Sequence, residues 1–261
     1  SSHIAVGIVV SVVSSVSQTR QGRTADWSAH RPHGVISYRL VWPLGSIMND
    51  PLRFTDRTDA GRQLANALRD QGIDPDIVLA IPRGGLPLGR IVADAFGVPL
   101  DVVVAAKIGA PNNPELALGA VASDGSVWRN SAAFHGTRAN EDYFEQQRRR
   151  EAEAARQKVA RYRGDRPEPD LAGKTVVVVD DGVATGATVR ACLEELRRTD
   201  AARIVVAIPV GPPETVAELR KLADDVVCLT VSRPFGAVGR FYADFGQVAD
   251  DTAMAFLDSS G

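Results

Sequence analysis

Two adjacent carboxylates, Asp180 and Asp181, follow a run of four valines and precede a short loop of small and hydroxylated residues. The continuous apolar run at residues 175–179 is typical of a strand buried on both faces of a parallel sheet. The loop, residues 184–188, leads into a helical pattern, so its free N–H groups, two hydroxyls and helix dipole suit a phosphate. Carboxylates beside a phosphate repel it unless they have another role, such as holding sugar hydroxyls or a Mg²⁺ that the ligand brings.

The residues DDGVATGAT closely resemble the phosphoribosyl-diphosphate (PRPP) binding motif of type I phosphoribosyltransferases. In that family two acids after a hydrophobic run hold the ribose 2′ and 3′ hydroxyls, and a T-G-x-T loop holds the 5′-phosphate. The resemblance implies that Asp180 and Asp181 hold the ribose and take part in catalysis. It implies further PRPP contacts at Gly182, Val183, Ala184, Thr185, Gly186, Ala187 and Thr188. The alternative is an ordinary strand-to-helix turn in which the acids cap the helix.

Two more segments, IPRGG and KIGAPNNPELALGAV, resemble the parts of that family that meet the diphosphate. The resemblance implies that pyrophosphate is gripped by Arg83, Gly84 and Gly85, and that a non-proline cis peptide lies within residues 82–85. It also implies that Lys107, as a PRPP-binding and catalytic residue, begins a mobile loop at residues 107–116 that excludes water. An ordinary β-turn with a surface arginine and a solvated loop are the alternatives. Ala106 stands where the resemblance implies an arginine, which reduces the charge available to pyrophosphate.

The acceptor is constrained by fewer residues. In 6-oxopurine salvage enzymes an aspartate precedes T-G-x-T and handles a purine ring proton, whereas this chain has Ala184, which argues against hypoxanthine or guanine. Glu115 is a candidate contact to the acceptor or to a metal-bound water. The segment PFGAVGRFYADF resembles part of a hood over the acceptor base, with Phe235, Phe241 and Tyr242 available for stacking. Core packing of a C-terminal tail is the alternative for these rings.

From residue 51 onward, strand patterns alternate with helix patterns, which favours an α/β fold with a doubly wound, mostly parallel sheet flanked by helices. The longest helical pattern, residues 137–163, predicts a long helical insertion. The chain also resembles a bacterial group of predicted phosphoribosyltransferases, and this resemblance implies a small hood. Because ligands bind at the carboxyl ends of strands in such sheets, the diphosphate loop, Lys107 and the acid pair should share one edge. The predicted domains are an N-terminal extension of unclear role, 1–48, and a phosphoribosyltransferase-like domain, 49–261.

The composition and net charge of the chain argue against some classes of binding partner. The chain has 261 residues, 44% of them hydrophobic, which is enough for one large domain, and its net charge of −2 argues against nucleic acid. The apolar run at residues 4–13 is too short to span a bilayer and lacks the basic residues that precede a signal-peptide core. We therefore expect no membrane partner and a cytoplasmic location. The sequence leaves open whether the chain forms a homo-oligomer.

Cysteine and histidine residues give little sign of a resident metal or of a disulfide. Cys192 and Cys228 are expected to be buried, reduced thiols. His30 and His33 lack a nearby third ligand, so no dedicated metal site is expected. Mg²⁺ would instead arrive on the oxygens of PRPP, near Asp180 and Asp181.

Three functions compete. The first is an enzyme that transfers phosphoribosyl from PRPP to a nitrogenous base or related acceptor and releases pyrophosphate. The second is a regulatory protein that binds PRPP or a nucleotide without turnover, which Ala106 favours and Lys107 disfavours. The third, a phosphohydrolase or NTPase that uses the acid pair for a metal, lacks support because the chain has no G-x-x-x-x-G-K-[ST] loop.

Overall fold

Residues 54–258 are described by a computed structural model, and they form an α/β unit with two sheets. The extension predicted at residues 1–48, its boundary, and His30 and His33 lie outside the described residues. The elements in chain order are α1 (Arg57–Asp70), β1 (Ile77–Ala80), α2 (Gly85–Phe96), β2 (Leu100–Val102), β3 (Ala105–Ala110), β4 (Asn113–Ala122), β5 (Val127–Arg129), α3 (Ser131–His135), α4 (Glu141–Arg163), β6 (Thr175–Val179), α5 (Ala187–Leu196), β7 (Arg203–Gly211), α6 (Pro213–Leu219), β8 (Asp225–Val231), a 3₁₀ turn (Val238–Phe241) and α7 (Asp250–Asp258).

The larger sheet has five parallel strands in the order β2-β1-β6-β7-β8. Alternate residues of its middle strand, β6, point to opposite faces. Val177 and Val179 pack with α1 and α2, whereas Val176 and Val178 pack with α5 and α6. The apolar run is continuous because both faces are buried, which confirms the predicted doubly wound, mostly parallel sheet.

The smaller sheet shows that residues 107–116, predicted to be a loop, lie mostly in two strands, while the mobility predicted for this segment stays a prediction. Strands β3, β4 and β5 pair antiparallel in that order, with Lys107 opposite Ala120. The last paired residues of the hairpin, Ala110 and Asn113, are separated by two residues, and the register shifts on both sides of Gly109. The glycines and prolines therefore belong to an irregular hairpin. Strands β2 and β3 are close in sequence, yet they belong to different sheets.

Two helices, α4 and α7, pack beside the sheets and reach the carboxyl edge of the larger sheet. The long helical insertion is α4, which begins where the Asn140 side chain accepts the Tyr143 N–H at 2.9 Å. The predicted start at residue 137 was four residues too early. Helix α7, which the sequence patterns did not reveal, packs against α2 and buries Ala253 and Leu257.

Both cysteines are free thiols, as predicted, with Cys192 buried and Cys228 half-buried. Burial raises the pKa of Cys228 to about 12 and the pKa of Cys192 well above its usual value. Both therefore stay protonated and unreactive at neutral pH. Between residues 54 and 258, no helix combines the length and apolar character needed to cross a bilayer.

Candidate functional site

The loops that follow β1 and β6 meet at one edge of the larger sheet. The two strands are neighbours, with Ala80 beside Val179 at their carboxyl ends. A Cβ on Gly84 would lie 2.0 Å from Asp181 Oδ2, and a Cβ on Gly85 would lie 2.4 Å from the Val179 carbonyl oxygen. Both positions therefore require glycine, because the loop after β1 packs directly against the acid pair.

The loop after β1 carries one charged side chain. The peptide bond between Pro82 and Arg83 is cis, as predicted for residues 82–85. The Gly85 N–H donates to the Ile81 carbonyl at 3.0 Å and is already used within the protein. The Arg83 side chain is 45% exposed, and its Nη1 lies 3.6 Å from Oδ1 of Asp250. Arg83 is thus the group through which this loop could offer positive charge to a ligand.

The acid pair is half-buried, and Arg57 neutralises it only in part. Arg57 Nε and Nη2 lie 2.9 Å and 2.8 Å from Asp181 Oδ2, and both side chains are largely buried, 13% and 14% exposed. Burial raises the pKa of Asp180 well above its ordinary value, and the charge of Asp181 raises it further. Burial also raises the pKa of Asp181, against the opposing effect of Arg57. Hydroxyl donors and a cation brought by a ligand would relieve this cost.

The C-terminal segment at residues 242–246 holds the acid pair in place. Tyr242 donates its hydroxyl to the Asp181 carbonyl at 2.6 Å, and Arg57 Nη1 donates to the Gly246 carbonyl at 2.7 Å. The Arg57 guanidinium lies 4.0 Å from the centroid of the Phe245 ring. Sequence reasoning missed Arg57 because it stands 124 residues from Asp181 and belongs to no motif.

Two of the three rings expected to stack on an acceptor lie in the core, which corrects that expectation. Phe241 and Tyr242 are each 3% exposed. Tyr242 packs against Phe54, with ring centroids 5.3 Å apart. Burial leaves neither ring a free face, so the alternative of core packing describes both. Phe235 is half-buried, stacks on Phe241 at 5.3 Å, and remains the candidate to contact an acceptor.

The loop after the acid pair ends at the N-terminus of α5, as predicted. Gly186 has a φ of 70° and immediately precedes the first helical residue. This left-handed conformation favours glycine. Thr215 of α6 supports the loop, because its hydroxyl donates to the Ala184 carbonyl at 2.7 Å. A Cβ on Gly186 would also lie 2.7 Å from the Thr215 methyl carbon.

The residues predicted to contact PRPP in this loop differ in exposure. Gly182 and Val183 are buried, and the Val183 N–H donates to the Val210 carbonyl at 2.9 Å. Ala184 and Thr185 are exposed just before the helix. Ala187, buried, and Thr188, half-buried, form the first turn of α5. The groups that a phosphate could contact are therefore Ala184, Thr185 and the N-terminus of α5.

Lys107 and Glu115 lie on facing strands of the hairpin. Lys107 Nζ is 3.2 Å from Glu115 Oε2, and their side chains are 38% and 91% exposed. Exposed pairs of this kind contribute about 0–1 kcal/mol. The structure thus brings these two residues together, and within residues 54–258 it shows no ion pair from either to the acid pair. Their contacts with PRPP and acceptor stay predictions.

A second charged cluster, formed by α4 and α7, borders the loop after β1. Asp250 Oδ2 lies 2.8 Å from Arg161 Nη1, and its Oδ1 accepts the Tyr162 hydroxyl at 2.9 Å. The Tyr162 hydroxyl and then the Arg161 charge lower the pKa of Asp250. Lys158 Nζ approaches the Pro82 carbonyl oxygen at 3.5 Å. The i, i+3, i+4 spacing of Lys158, Arg161 and Tyr162 was the signal for this shared helix face, and the sequence analysis did not identify it.

The acid pair offers two carboxylates to a metal ion. Among residues 54–258, no three His, Cys, Asp or Glu side chains form a group that could hold a metal ion. The donor chemistry nevertheless suits Mg²⁺, which takes one or two carboxylates and fills its remaining positions with phosphate and water. The buried Asp180 carboxylate would be stabilised by such a cation.

Known proteins match both the sequence and the fold. The model of a family described as phosphoribosyl transferase domain matches residues 54–245. The Mycobacterium tuberculosis protein named “Putative phosphoribosyl transferase Rv0571c” is 41% identical over 205 residues, which make up 78% of this chain and 46% of that protein. The crystal structure of TT1426 from Thermus thermophilus is 43% identical, with a TM-score of 0.67, and the match covers 78% of this chain and 97% of that chain. The chain thus spans about half the length of its curated Mycobacterium tuberculosis relative, 46%.

Proposed function

This chain belongs to the phosphoribosyl transferase domain family, and we propose that it transfers the phosphoribosyl group of PRPP to a nitrogenous acceptor and releases pyrophosphate. The observation that carries the proposal is the half-buried acid pair at the end of β6, followed by a loop that ends at the N-terminus of α5. A cytoplasmic location is part of the proposal and fits the free thiols of Cys192 and Cys228.

The acid pair and the following loop would hold the two ends of one phosphorylated pentose. Asp180 and Asp181 accept hydrogen bonds, and the 2′ and 3′ hydroxyls of ribose donate them. The 5′-phosphate would lie against Ala184, Thr185 and the α5 N-terminus, where backbone N–H groups and the helix dipole favour an anion. When the bond from C1 to pyrophosphate breaks, positive charge develops on the sugar ring, and the two carboxylates stabilise it.

The leaving pyrophosphate gains negative charge and therefore needs cations. Arg83 supplies one from the loop after β1, and the resemblance assigns a second to Lys107. Gly84 and Gly85 keep that loop against the acid pair, so the ribose and the diphosphate could be contacted together. Mg²⁺, when bound with the diphosphate, would add positive charge to its oxygens.

The residues of the site indicate the chemical class of the acceptor but do not identify the acceptor itself. Ala184 offers no carboxylate to a purine ring proton, which disfavours 6-oxopurines. Phe235, with its half-buried ring, is the aromatic group that could contact a planar base. A small nitrogenous base with no need for a carboxylate at position 184 fits these residues best.

A PRPP-binding regulator without turnover is the second candidate. Ala106 has no charge where the family resemblance implies an arginine, and Lys107 is paired with Glu115 in the hairpin. Both features reduce the positive charge that is free to stabilise a leaving pyrophosphate, while they leave the ribose and phosphate contacts intact.

Calorimetry with PRPP and Mg²⁺, followed by an assay of pyrophosphate release with a panel of nitrogenous bases, tests both candidates. We expect PRPP to bind and at least one base to cause release. The Asp180→Ala, Asp181→Ala double variant should lose PRPP binding, whereas Asp74→Ala, which removes an exposed carboxylate, should not. Binding without release for every base would leave only the regulator, and no binding by the unaltered chain would refute both.

A further inference from the structure

The diphosphate end of the proposed site needs more positive charge than its loops supply. PRPP and pyrophosphate both bring multiple negative charges, and residues 81–85 contain Arg83 as their single charged side chain. In the hairpin, Ala106 is uncharged and Lys107 is paired with Glu115. A further cation beside the loop after β1 would therefore change how strongly a diphosphate binds.

Lys158 reaches that loop from α4. Its Nζ lies 3.5 Å from the Pro82 carbonyl oxygen, which is a long hydrogen bond. Within residues 54–258, no ion pair joins Lys158 to a carboxylate. Burial lowers the pKa of Lys158, while the charges of Asp250 and Asp180 partly oppose that effect. An ammonium group has three donors, so this partly buried cation keeps hydrogen-bonding capacity for another acceptor.

The charges around Lys158 favour an anion rather than a cation at this point. Arg83 and Arg161 both pair with Asp250, at 3.6 Å and 2.8 Å, and Arg161 also lies 3.6 Å from Asp251, whose side chain is 97% exposed. Together with Lys158, this side of the loop carries three cations and two carboxylates, which leaves one positive charge in excess. The charge of Asp180 also acts on Lys158, while Arg57 pairs with Asp181, the other member of the acid pair.

We propose that Lys158 binds the diphosphate of the ligand and that α4 forms a second wall of the diphosphate subsite. This inference rests on the proposed function, because it assigns a residue to the same ligand. Lys158 supplies the charge that Ala106 does not, and it reaches the subsite from a helix rather than from the hairpin. A lysine suits this position because its ammonium is a compact point charge that approaches a phosphate oxygen from a narrow space.

A purely structural role for Lys158 is the competing explanation. Its Nζ lies 5.9 Å from the centroid of the Tyr162 ring, and its contact with the Pro82 carbonyl ties α4 to the loop after β1. A structural role predicts that replacing Lys158 weakens every ligand equally or only lowers stability. A diphosphate contact predicts a selective effect on ligands that contain a diphosphate.

Calorimetry in the presence of Mg²⁺ separates these explanations with three probes: PRPP, pyrophosphate, and ribose 5-phosphate, which lacks the diphosphate. We expect Lys158→Gln to weaken PRPP and pyrophosphate binding by about tenfold or more, because a charge-assisted hydrogen bond is lost. Binding of ribose 5-phosphate should change by less than about twofold, since the acid pair and phosphate loop are intact. Lys158→Arg should recover most of the loss because it retains the charge.

Arg156→Gln is the matched control. Arg156 lies on the same helix, is 51% exposed and pairs with Glu153 at 2.9 Å, so its replacement should leave all three affinities unchanged. If Lys158→Gln fails to fold, Lys158→Met keeps the length of the aliphatic chain and replaces it in the same titrations.

The outcomes distinguish this inference from the proposed function. Equal weakening of all three probes by Lys158→Gln, or unchanged PRPP and pyrophosphate affinity, would overturn the role of Lys158 and leave the proposed function standing. Failure of the unaltered chain to bind any of the three probes would refute the proposed function itself.

Discussion

Asp180 lowers the stability of the ligand-free protein at neutral pH. Its folded-state pKa is raised by burial and by Asp181, so the folded state keeps a proton that the unfolded state has already lost. The contribution of this group to the free energy of unfolding is fully present below the ordinary pKa of 3.8 and is lost as pH rises toward the raised value. The carboxylate is therefore kept at a cost in stability, which a ligand that donates hydroxyls would offset.

We expect Asp180→Asn to raise the free energy of unfolding near pH 7 by about 1–3 kcal/mol, the cost of a poorly satisfied buried polar group. The gain should disappear near about pH 3, where the aspartate is protonated in both states. Urea unfolding at the two pH values measures the effect, and calorimetry should show PRPP binding weakened by about tenfold or more. A variant that is less stable than the unaltered chain near pH 7 would contradict this account.

Gly84 is required by the distance between its backbone and Asp181. We expect Gly84→Ala to lower the free energy of unfolding by about 1–3 kcal/mol and to weaken PRPP binding, because a Cβ at 2.0 Å from Oδ2 must displace the acid. Gly136→Ala is the control, since its Cβ would lie 3.5 Å from the Ala132 carbonyl oxygen, an ordinary contact. Chemical denaturation and calorimetry on both variants make the comparison, and equal effects would refute the steric argument.

At the residue scale, the sequence reveals groups that act through local backbone geometry. The acid pair, Gly186 and the glycines after β1 stand in short segments whose spacing already indicates their task. Arg57, Lys158 and Thr215 act across 124, 76 and 31 residues, respectively. Nothing in the sequence distinguishes them among the 30 lysines and arginines, or among the other threonines, because their role depends on tertiary packing.

Among the elements, α6 supports the phosphate loop through Thr215. We expect Thr215→Val, which keeps the shape but removes the hydroxyl, to weaken PRPP binding by about two- to tenfold, because the Ala184 carbonyl loses its donor. Calorimetry measures the change. Thr230→Val is the control, since Thr230 is also buried, at 7% exposure, but lies on β8. Equal affinities for Thr215→Val and Thr230→Val would show that the loop keeps its geometry without this hydrogen bond.

The hairpin shows why elements are harder to predict than motifs. Glycine and proline in KIGAPNNPELALGAV indicate a loop when only local preference is considered. In the structure, a Cβ on Gly119 would lie 2.4 Å from the Trp128 carbonyl oxygen, and one on Gly109 would lie 2.8 Å from the Pro114 carbonyl oxygen. These glycines therefore permit the strands to approach closely. The antiparallel pairing of β3 with β4 decides the outcome, and the glycine and proline content of the segment does not reveal that pairing.

At the scale of the whole molecule, the site combines residues from the start, middle and end of the described chain. Arg57 begins α1, Lys158 lies in α4, and Asp250 begins α7. The alternation of strands and helices predicted the parallel sheet and its carboxyl edge. It could not predict that α4 and α7 converge there, because neither helix takes part in the strand-helix repeat.

Asp250 competes with an anionic ligand for Arg83 and Arg161, and removing its charge tests this. We expect Asp250→Asn to bind PRPP and pyrophosphate about two- to fivefold more tightly at low salt, since exposed ion pairs are weak and the freed arginines become available to the ligand. The gain should shrink as salt screens the freed arginines. The amide oxygen can still accept the Tyr162 hydroxyl, so the free energy of unfolding should stay close to that of the unaltered chain.

Calorimetry at two ionic strengths, with denaturation of each variant, makes this measurement. Asp251→Asn is the control, because Asp251 is 97% exposed and lies 3.6 Å from Arg161, with no ion pair to Arg83 within residues 54–258. Weaker binding by Asp250→Asn would mean that Asp250 orients Arg83 toward the ligand, because an orienting carboxylate is lost together with its competing charge. Tighter binding confined to low salt would show that the C-terminal helix limits the affinity of the diphosphate subsite.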